Sequence, residues 1–245
     1  MTARPTAPAP LEVADGVFFV QGPASNWMVL RDGREFTLVD SGYPGDTPTV
    51  LASLRALGLE PSRAAAVVLT HAHVDHTGAA RHLSAEYGVP VLAAAAERPA
   101  VRGQDRYQVT LPQLVPHLWK PRVLAWTVHA VRVGGLTPNA ITTDGEASET
   151  HLAELPGRPR PLPTPGHTPR HTAYRLAGDA VATGDALITA HALDGGGAPH
   201  VQPIHPVFDH DRAGAASSRE ALAELGSVIV LPGHGPALTA DLSRG

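Results

Sequence analysis

One short segment constrains the fold of this chain more than any other. It reads T-H-A-H-V-D-H-T-G and begins at Thr70, the last residue of an apolar run, residues 65–70, that predicts a buried strand. Four of its side chains can bind metal: His71, His73, Asp75 and His76. Alternation along an extended chain points the first three the same way, and a helix that begins near Thr77 would turn His76 towards them. The fold is therefore expected to bring the end of a strand to a rim where metal-binding side chains gather.

The remaining pattern predicts an α/β protein built in layers. Apolar runs bounded by turn residues predict strands at 17–20, 27–30, 36–39, 65–70, 89–93, 128–133, 140–143, 151–155, 171–176, 181–183 and 228–231. Helical spacing of apolar residues predicts helices around 50–57, 78–87 and 212–225. Strands and helices alternate from about residue 36 onward, which favours an α/β layered domain.

The whole chain, residues 1–245, is expected to form one domain, because its length lies within reach of a single core. Residues 1–12 are rich in proline and predict a disordered lead. Residues 98–150 lack a clean period and predict an excursion that caps the site. Aromatic side chains within it are candidates for substrate binding, although they could equally pack the excursion onto the body: Tyr107, Trp119 and Trp126, with His117 beside them.

Composition excludes several classes of protein. The 19 basic and 23 acidic residues give a net charge of −4, which argues against a nucleic-acid-binding surface. No apolar run approaches the ~20 residues of a membrane span, and the amino terminus lacks the apolar region of a signal peptide. Cysteine is absent, so metal ligands must come from His, Asp and Glu. We expect a cytoplasmic protein that acts on a small molecule, and the oligomeric state stays open.

Three further metal-competent residues each follow a glycine near a predicted strand end. They are His167 in T-P-G-H-T-P, Asp185 in A-T-G-D-A and His234 in L-P-G-H-G-P. Glycine allows a tight turn that places the next side chain at a rim. Seven nitrogen and oxygen donors exceed what one zinc ion needs, and two ions account for them if one carboxylate bridges. By contrast, His171 lies in a predicted strand and is expected to stay outside the site.

These motifs together resemble those of the metallo-β-lactamase superfamily, and most of all its glyoxalase II-like branch, over residues 17–236. The resemblance implies an αβ/βα four-layer sandwich with the metal site at the edge between two sheets. It implies that His71, His73 and His167 hold one metal, that Asp75, His76 and His234 hold the second, and that Asp185 bridges both. It also implies that Asp40, in L-V-D-S-G, supports a ligand from behind the site, the alternative being a simple strand-end cap.

Two departures narrow the substrate that this resemblance implies. The β-lactamases of the fold lack a bridging aspartate at the position of Asp185. The acyl-homoserine lactonases place a tyrosine just beyond that aspartate, where this chain has Ala186, Leu187 and Ile188. We therefore expect an ester, thioester or lactone as the substrate, with a phosphodiester disfavoured because the sequence shows no basic channel.

Two divalent metal ions, zinc or else iron or manganese, would supply a metal-bound hydroxide for this hydrolysis, and Asp75 would both ligate and orient it. Two alternatives remain open. One is a sulfur dioxygenase with a single iron on His71, His167 and Asp185. The other is a non-catalytic binding protein on the same fold.

Overall fold

Two β-sheets form the middle of the molecule. The structure is a computed structural model, and it describes residues 9–142 and 144–244. The strands of the first sheet are β1 (Leu11–Ala14), β2 (Val17–Val20), β3 (Trp27–Asp32), β4 (Glu35–Val39), β5 (Ala64–Val68), β6 (Val91–Ala93) and β7 (Asp144–Glu146). They pair in chain order, antiparallel from β1 to β4 and parallel from β4 to β7. The strands of the second sheet are β8 (Arg160–Pro163), β9 (Thr172–Arg175), β10 (Ala180–Gly184), β11 (Ser227–Pro232) and β12 (Leu238–Asp241). Its spatial order is β12-β11-β10-β9-β8.

Helices cover the outer faces of both sheets. The described helices are α1 (Thr47–Ala56), α2 (Val74–Tyr87), α3 (Arg98–Val101), α4 (Leu111–Leu114), α5 (Pro121–Arg132), α6 (Glu149–Leu152) and α7 (Arg212–Ala223). The first two pack on the seven-stranded sheet, and α7 packs on the five-stranded sheet. None of these helices in the described part of the chain is long and apolar enough to cross a membrane.

Strand β2 shows how the layers stack. All four of its residues are buried, which is typical of a strand covered on both faces. Phe18 and Val20 face the core shared with α1 and α2, whereas Val17 and Phe19 face the second sheet, where Tyr174 meets them. The order helix, sheet, sheet, helix is the αβ/βα sandwich predicted from the sequence.

Three strand predictions were wrong. Residues 128–133 belong to the end of α5, where Pro121 opens the helix and the buried Val123 and Thr127 lie one turn apart. Residues 151–155 begin inside α6 rather than in a strand, because the side chain of Ser148 caps a helical turn. The strand predicted at 140–143 forms instead at β7; Thr143 itself lies outside the described residues.

The predicted lead, residues 1–12, and the predicted excursion, residues 98–150, are both shorter in the structure than the sequence predicted. Strand β1 begins at Leu11, so the lead cannot extend to residue 12, and residues 1–8 lie outside the described residues. Residues 144–146 pair with β6, so the excursion ends before them. What remains, residues 98–142, is called here the excursion segment. It packs through Leu114 and Val123 onto Ile188, Leu193 and Phe208, which places it beside the loop that follows β10.

Candidate metal centre

The first ligand segment changes conformation in its middle. His71 and His73 lie in extended chain after β5, whereas α2 begins at Val74 and carries Asp75 and His76 in its first turn. The expected start near Thr77, and the expected extended conformation of Asp75, were therefore wrong. A carboxylate in the first turn of a helix interacts favourably with the helix dipole, which favours the earlier start.

The remaining three candidate ligands lie in the turns that follow β8, β10 and β11. Gly184 has a φ of +50°, and a Cβ atom there would lie 2.5 Å from Nε2 of His171. At Gly233 a Cβ atom would lie 2.2 Å from Oδ1 of Asp185. The first glycine supplies the turn that the sequence predicted. The second is required because two ligand loops approach each other too closely for any side chain.

The structure brings all seven predicted ligands together as two adjoining groups. One contains His71, His73, His167 and Asp185; the other contains Asp75, His76 and His234; all are buried, and in each group the candidate ligand atoms lie within 4.8 Å of one another. Asp185 lies between the groups. Its Oδ2 is 3.4 Å from Nε2 of His167 and 3.3 Å from Nε2 of His234, and its Oδ1 is 3.4 Å from Nε2 of His76.

Several of these atoms form no hydrogen bond with the described part of the chain. Nε2 of His71, His73 and His76 and Oδ1 of Asp185 are buried and form no hydrogen bond within the described residues. Buried polar atoms without partners are costly and therefore rare in proteins. Imidazole nitrogens and carboxylate oxygens gathered in this way fit divalent ions such as zinc, and the two groups can accommodate two ions.

Asp40 holds one candidate ligand from behind. It adopts a left-handed backbone conformation, with φ +57°, which Asp tolerates better than most residues. Its carboxylate accepts hydrogen bonds from Nδ1 of His76, from the Thr70 N–H and from the Thr70 hydroxyl, each at 2.8 Å. Because that hydroxyl donates to Asp40, its oxygen accepts from Nδ1 of His71 at 3.0 Å. Both imidazoles are thereby held with Nε2 free to bind metal.

A third histidine is oriented in a similar way by a different part of the chain. Nδ1 of His234 donates to the carbonyl oxygen of Ala24 at 2.7 Å. Partners of this kind fix the tautomer and the ring orientation of metal-binding histidines. Nδ1 of His167 lies 3.6 Å from Oδ1 of Asp209, a buried carboxylate that the sequence did not single out, and this distance is too long for a hydrogen bond.

The charges of Asp185, His71 and His73 match what metal binding requires, whereas nearby carboxylates, Asp185 first, outweigh burial and raise the pKa of His76 and His234. Burial raises the pKa of Asp185, but His234 and His76 outweigh burial and hold the pKa of this carboxyl well below its usual range. Burial, reinforced by the neighbouring histidines, lowers the pKa of His71 and His73 well below the usual value. An ionised carboxylate and neutral imidazoles are the protonation states in which these groups bind metal.

Comparison with known proteins identifies the family. The family model described as the metallo-β-lactamase superfamily matches residues 20–234. The chain belongs to this superfamily.

Relatives and solved structures agree with that membership. The chain is 29% identical over 235 residues to the probable metallo-hydrolase YflN of Bacillus subtilis, covering 93% of this chain and 83% of YflN. A shorter match, 42% identical over 74 residues, covers 30% of this chain and 28% of a hydroxyacylglutathione hydrolase of Alkalilimnicola ehrlichii. The crystal structure of TTHA1623 in a di-iron-bound form aligns with a TM-score of 0.60 and 26% identity, covering 96% of this chain and 94% of that one.

His171 lies behind the metallo-β-lactamase centre, although the sequence placed it outside the site. It is not one of the seven grouped donors, but its ring centroid is 5.0 Å from that of His71, and its Nε2 accepts the backbone N–H of Asp185 at 3.1 Å. Burial, followed by the charge of His167, lowers its pKa to about 3, so it is neutral at physiological pH. The sequence argument placed His171 in a strand, whereas it lies just before β9, where the turn after His167 brings it back towards the site.

Glu97 is a second residue that sequence reasoning missed. It is buried, and its two carboxylate oxygens accept from the Ala72 N–H and the Thr168 hydroxyl, each at 3.0 Å. It therefore joins the loop that carries His71 and His73 to the loop that carries His167. Nothing in the local sequence around Glu97 indicates this role, because both contacts are distant in the chain.

A cavity opens beside the candidate metal ligands. Its empty volume, including the part open to solvent, is about 620 Å³. Of the aromatic residues proposed to bind substrate, Trp126 lines this cavity, with its ring against His191 and Phe208. Trp119 is 77% exposed and does not line it. Tyr107 does not line it either; its ring packs on His210.

Tyr43 and His191 also line the cavity, and neither was predicted. Burial, together with the Asp75 and Asp185 carboxylates, raises the pKa of the Tyr43 phenol well above its usual value. The hydroxyl thus stays protonated and can donate a hydrogen bond into the cavity. Burial, then His234, lowers the pKa of His191 to about 3, so this ring is neutral at physiological pH.

Proposed function

We propose that this protein is a hydrolase that cleaves an ester, a thioester or a lactone with a pair of divalent metal ions. The observation that carries the proposal is the convergence of two buried ligand groups on Asp185, with several ligand atoms that form no hydrogen bond in the described part of the chain. Membership of a superfamily with metallo-hydrolase relatives supports the reaction class. The nitrogen and oxygen donor set favours zinc, and iron is the alternative that the di-iron neighbour suggests.

When bound, such ions lower the pKa of a water molecule and polarise a carbonyl oxygen. The chain's own residues prepare the site for this chemistry. Asp75 belongs to the second ligand group, with Oδ2 3.5 Å from Nε2 of His234, and it also lines the cavity. We assign it the orientation of the attacking water, because its carboxylate can contact both a metal and a molecule in the cavity.

Other residues set the conditions for attack. The Tyr43 hydroxyl is a protonated donor beside the substrate space. Trp126 and Phe208 cover the cavity with apolar surface, which excludes water and strengthens electrostatic interactions inside. These roles suit attack on an acyl carbon, whose developing oxyanion needs nearby donors or cations.

The sulfur dioxygenase alternative would use one iron on His71, His167 and Asp185. It leaves unexplained why Asp75, His76 and His234 form a second buried group that shares Asp185. A non-catalytic binding protein would have no need to keep both groups complete. The second group is therefore the feature that favours a two-metal hydrolase over both alternatives.

Elemental analysis of protein purified without added metal tests the proposal. We expect about two equivalents of metal per chain and metal-dependent hydrolysis of simple aryl esters, thioesters or lactones. The hydrolase proposal is wrong if the protein holds one equivalent of iron and consumes oxygen with a persulfide substrate. If metal binds but no substrate of any class turns over, the binding-protein alternative is favoured.

A further inference from the structure

The cavity beside the metal centre has two chemically different ends. At the inner end it is bounded by residues of the two ligand groups, including His73, Asp75 and Asp185. Away from them the lining is mainly apolar and includes Leu114, Trp126, Ile204 and Phe208. Among the described residues that line it there is no lysine and no arginine. Ionised groups in the lining are thus confined to the end where the metals would bind.

The mouth of the cavity continues the apolar surface into solvent. Leu111, Val131 and Leu136 all line it, yet they are 43%, 44% and 61% exposed. When a chain that emerges from the cavity covers these three exposed aliphatic side chains, their apolar surface is removed from water, which is favourable. This apolar rim and the ligand groups line the same cavity. A molecule that is bound with one end at the metals can therefore cover the rim with its other end.

We infer that the substrate carries an uncharged, aliphatic acyl chain that runs from the metal centre along Trp126 and Phe208 to the rim at Leu136. This inference rests on the proposed function and specifies its substrate class. An acyl group that ends in a carboxylate would place an anion against the apolar rim and find no cationic partner in the described lining, which is unfavourable. The same argument disfavours anionic thioesters of peptide thiols.

The experiment compares two esters that differ only at the chain end. The zinc-loaded full-length protein is assayed with p-nitrophenyl octanoate and with mono-p-nitrophenyl suberate, which has the same chain length but ends in a carboxylate. Each rate is corrected for spontaneous hydrolysis. We expect kcat/KM to favour octanoate by at least about tenfold, the scale on which apolar pockets discriminate.

A matched pair of variants tests whether the preference for octanoate over suberate arises at the rim of the cavity. Leu136 and Val115 are each 61% exposed on the excursion segment, but only Leu136 lines the cavity. Leu136→Arg places a cation at the rim and is expected to narrow the octanoate preference several-fold by improving suberate. Val115→Arg adds the same charge to the same segment and should leave the preference unchanged. Equal efficiencies for both esters, or equal effects of the two variants, would overturn the inference while the hydrolase proposal stands.

A binding measurement separates this inference from the proposed function. Tryptophan fluorescence in a Trp119→Phe background, which leaves Trp126 in the cavity, is titrated with octanamide and with suberic acid monoamide. Tighter binding of octanamide supports the apolar path even if neither ester is hydrolysed, a result that would count against the proposed reaction alone. Equal binding of the two amides overturns the apolar path.

Discussion

The metal centre and the excursion segment lie side by side but are built on different principles. In the centre, seven candidate ligand side chains are buried, and their partners come from distant elements such as Asp40 after β4 and Ala24 before β3. In the excursion segment, large apolar side chains reach solvent, with Trp119 and Leu136 among the most exposed. A hydrogen-bonded link connects the two regions: the side-chain amide of Asn139 donates to the carbonyl and hydroxyl oxygens of Thr77, at 2.7 and 2.9 Å.

This contrast suggests a division of labour. A polar network tolerates little change, because a lost partner leaves a buried group unsatisfied. An apolar lining on a surface segment can vary without disturbing the scaffold, which is why such segments commonly carry specificity. We therefore expect changes in the centre to reduce activity on every substrate by the same factor, and changes in the excursion segment to alter the ranking of substrates.

The largest effect is expected from Asp185→Asn. The substitution removes the charge between the two ligand groups and replaces one oxygen by an NH₂ group that cannot ligate. We expect loss of at least one metal equivalent and a fall in hydrolysis of at least about a hundredfold on all substrates, with the fold intact. Metal analysis, kinetics on several esters and circular dichroism check this.

Asp179→Asn is the matched control, since that carboxylate is 71% exposed and pairs only with Arg175 among the described residues. It should retain both metals and full activity. Survival of metal content and activity in Asp185→Asn would exclude a bridging role.

A smaller effect, about 10- to 100-fold in metal affinity, is expected from Asp40→Asn. Asn tolerates the left-handed backbone of this position, so the change removes the acceptor shared by Nδ1 of His76 and the Thr70 hydroxyl without straining the backbone. Competition with a chromophoric chelator measures the affinity. Asp46→Asn is the control: this buried aspartate accepts the Tyr43 N–H at 3.0 Å and is not one of the grouped ligands. Equal metal affinity in the two variants would reduce Asp40 to a strand-end cap.

His171→Ala tests whether the centre extends to residues that bind no metal. The Asp185 N–H would lose its buried acceptor, which costs about 1–3 kcal/mol, and the ring would leave a cavity behind His71. We expect a fall in Tm of several degrees and weaker metal binding. His151→Ala, at an exposed histidine, should change neither. An unchanged Tm and metal content in His171→Ala would show that this residue does not support the centre.

The parts of the molecule that were predictable from the sequence carry local signals. Strands β2 to β5 show apolar runs between turn residues. The loops that carry His167, Asp185 and His234 are indicated by a glycine directly before the His or Asp. Helix α5 lacks such a signal, because V-H-A-V-R-V is rich in valine, a residue that favours strands; only Pro121 and the spacing of Val123 and Thr127 indicate the helix. Strand β7 is harder still. D-G-E has no strand propensity, and it forms where β6 offers pairing partners and Arg98 and Arg102 hold Asp144, each at 2.6 Å.

Residues behind the centre were unpredictable for a related reason. The contacts of Glu97 with Ala72 and Thr168 join residues 25 and 71 positions apart, and such pairs exist only once both sheets are assembled. His171 is closer to its partner in sequence, but its role depends on a turn that reverses the chain and on Gly184, where any side chain would collide with it. Spacing rules for helices and strands describe neither case.

The smallest effect, and the one that separates the two regions most directly, is expected from Trp126→Ala. This ring lines the cavity, whereas Trp119 lies on the same segment, 77% exposed and outside it. Removing an aromatic ring that covers a substrate costs roughly 1–3 kcal/mol. Because Trp126 is only half-buried, we expect the low end of that range, a change in kcat/KM of about tenfold on long-chain esters and less on acetate esters. Metal content should remain at the wild-type value, because Trp126 contacts His191 and Phe208 rather than a candidate ligand. Trp119→Ala should leave both the ranking and the metal content unchanged. Uniform losses on every ester in Trp126→Ala, together with a lower Tm, would identify this tryptophan as a packing residue, and the division between chemistry and selection would then have to be sought in the loop around His191 and Phe208.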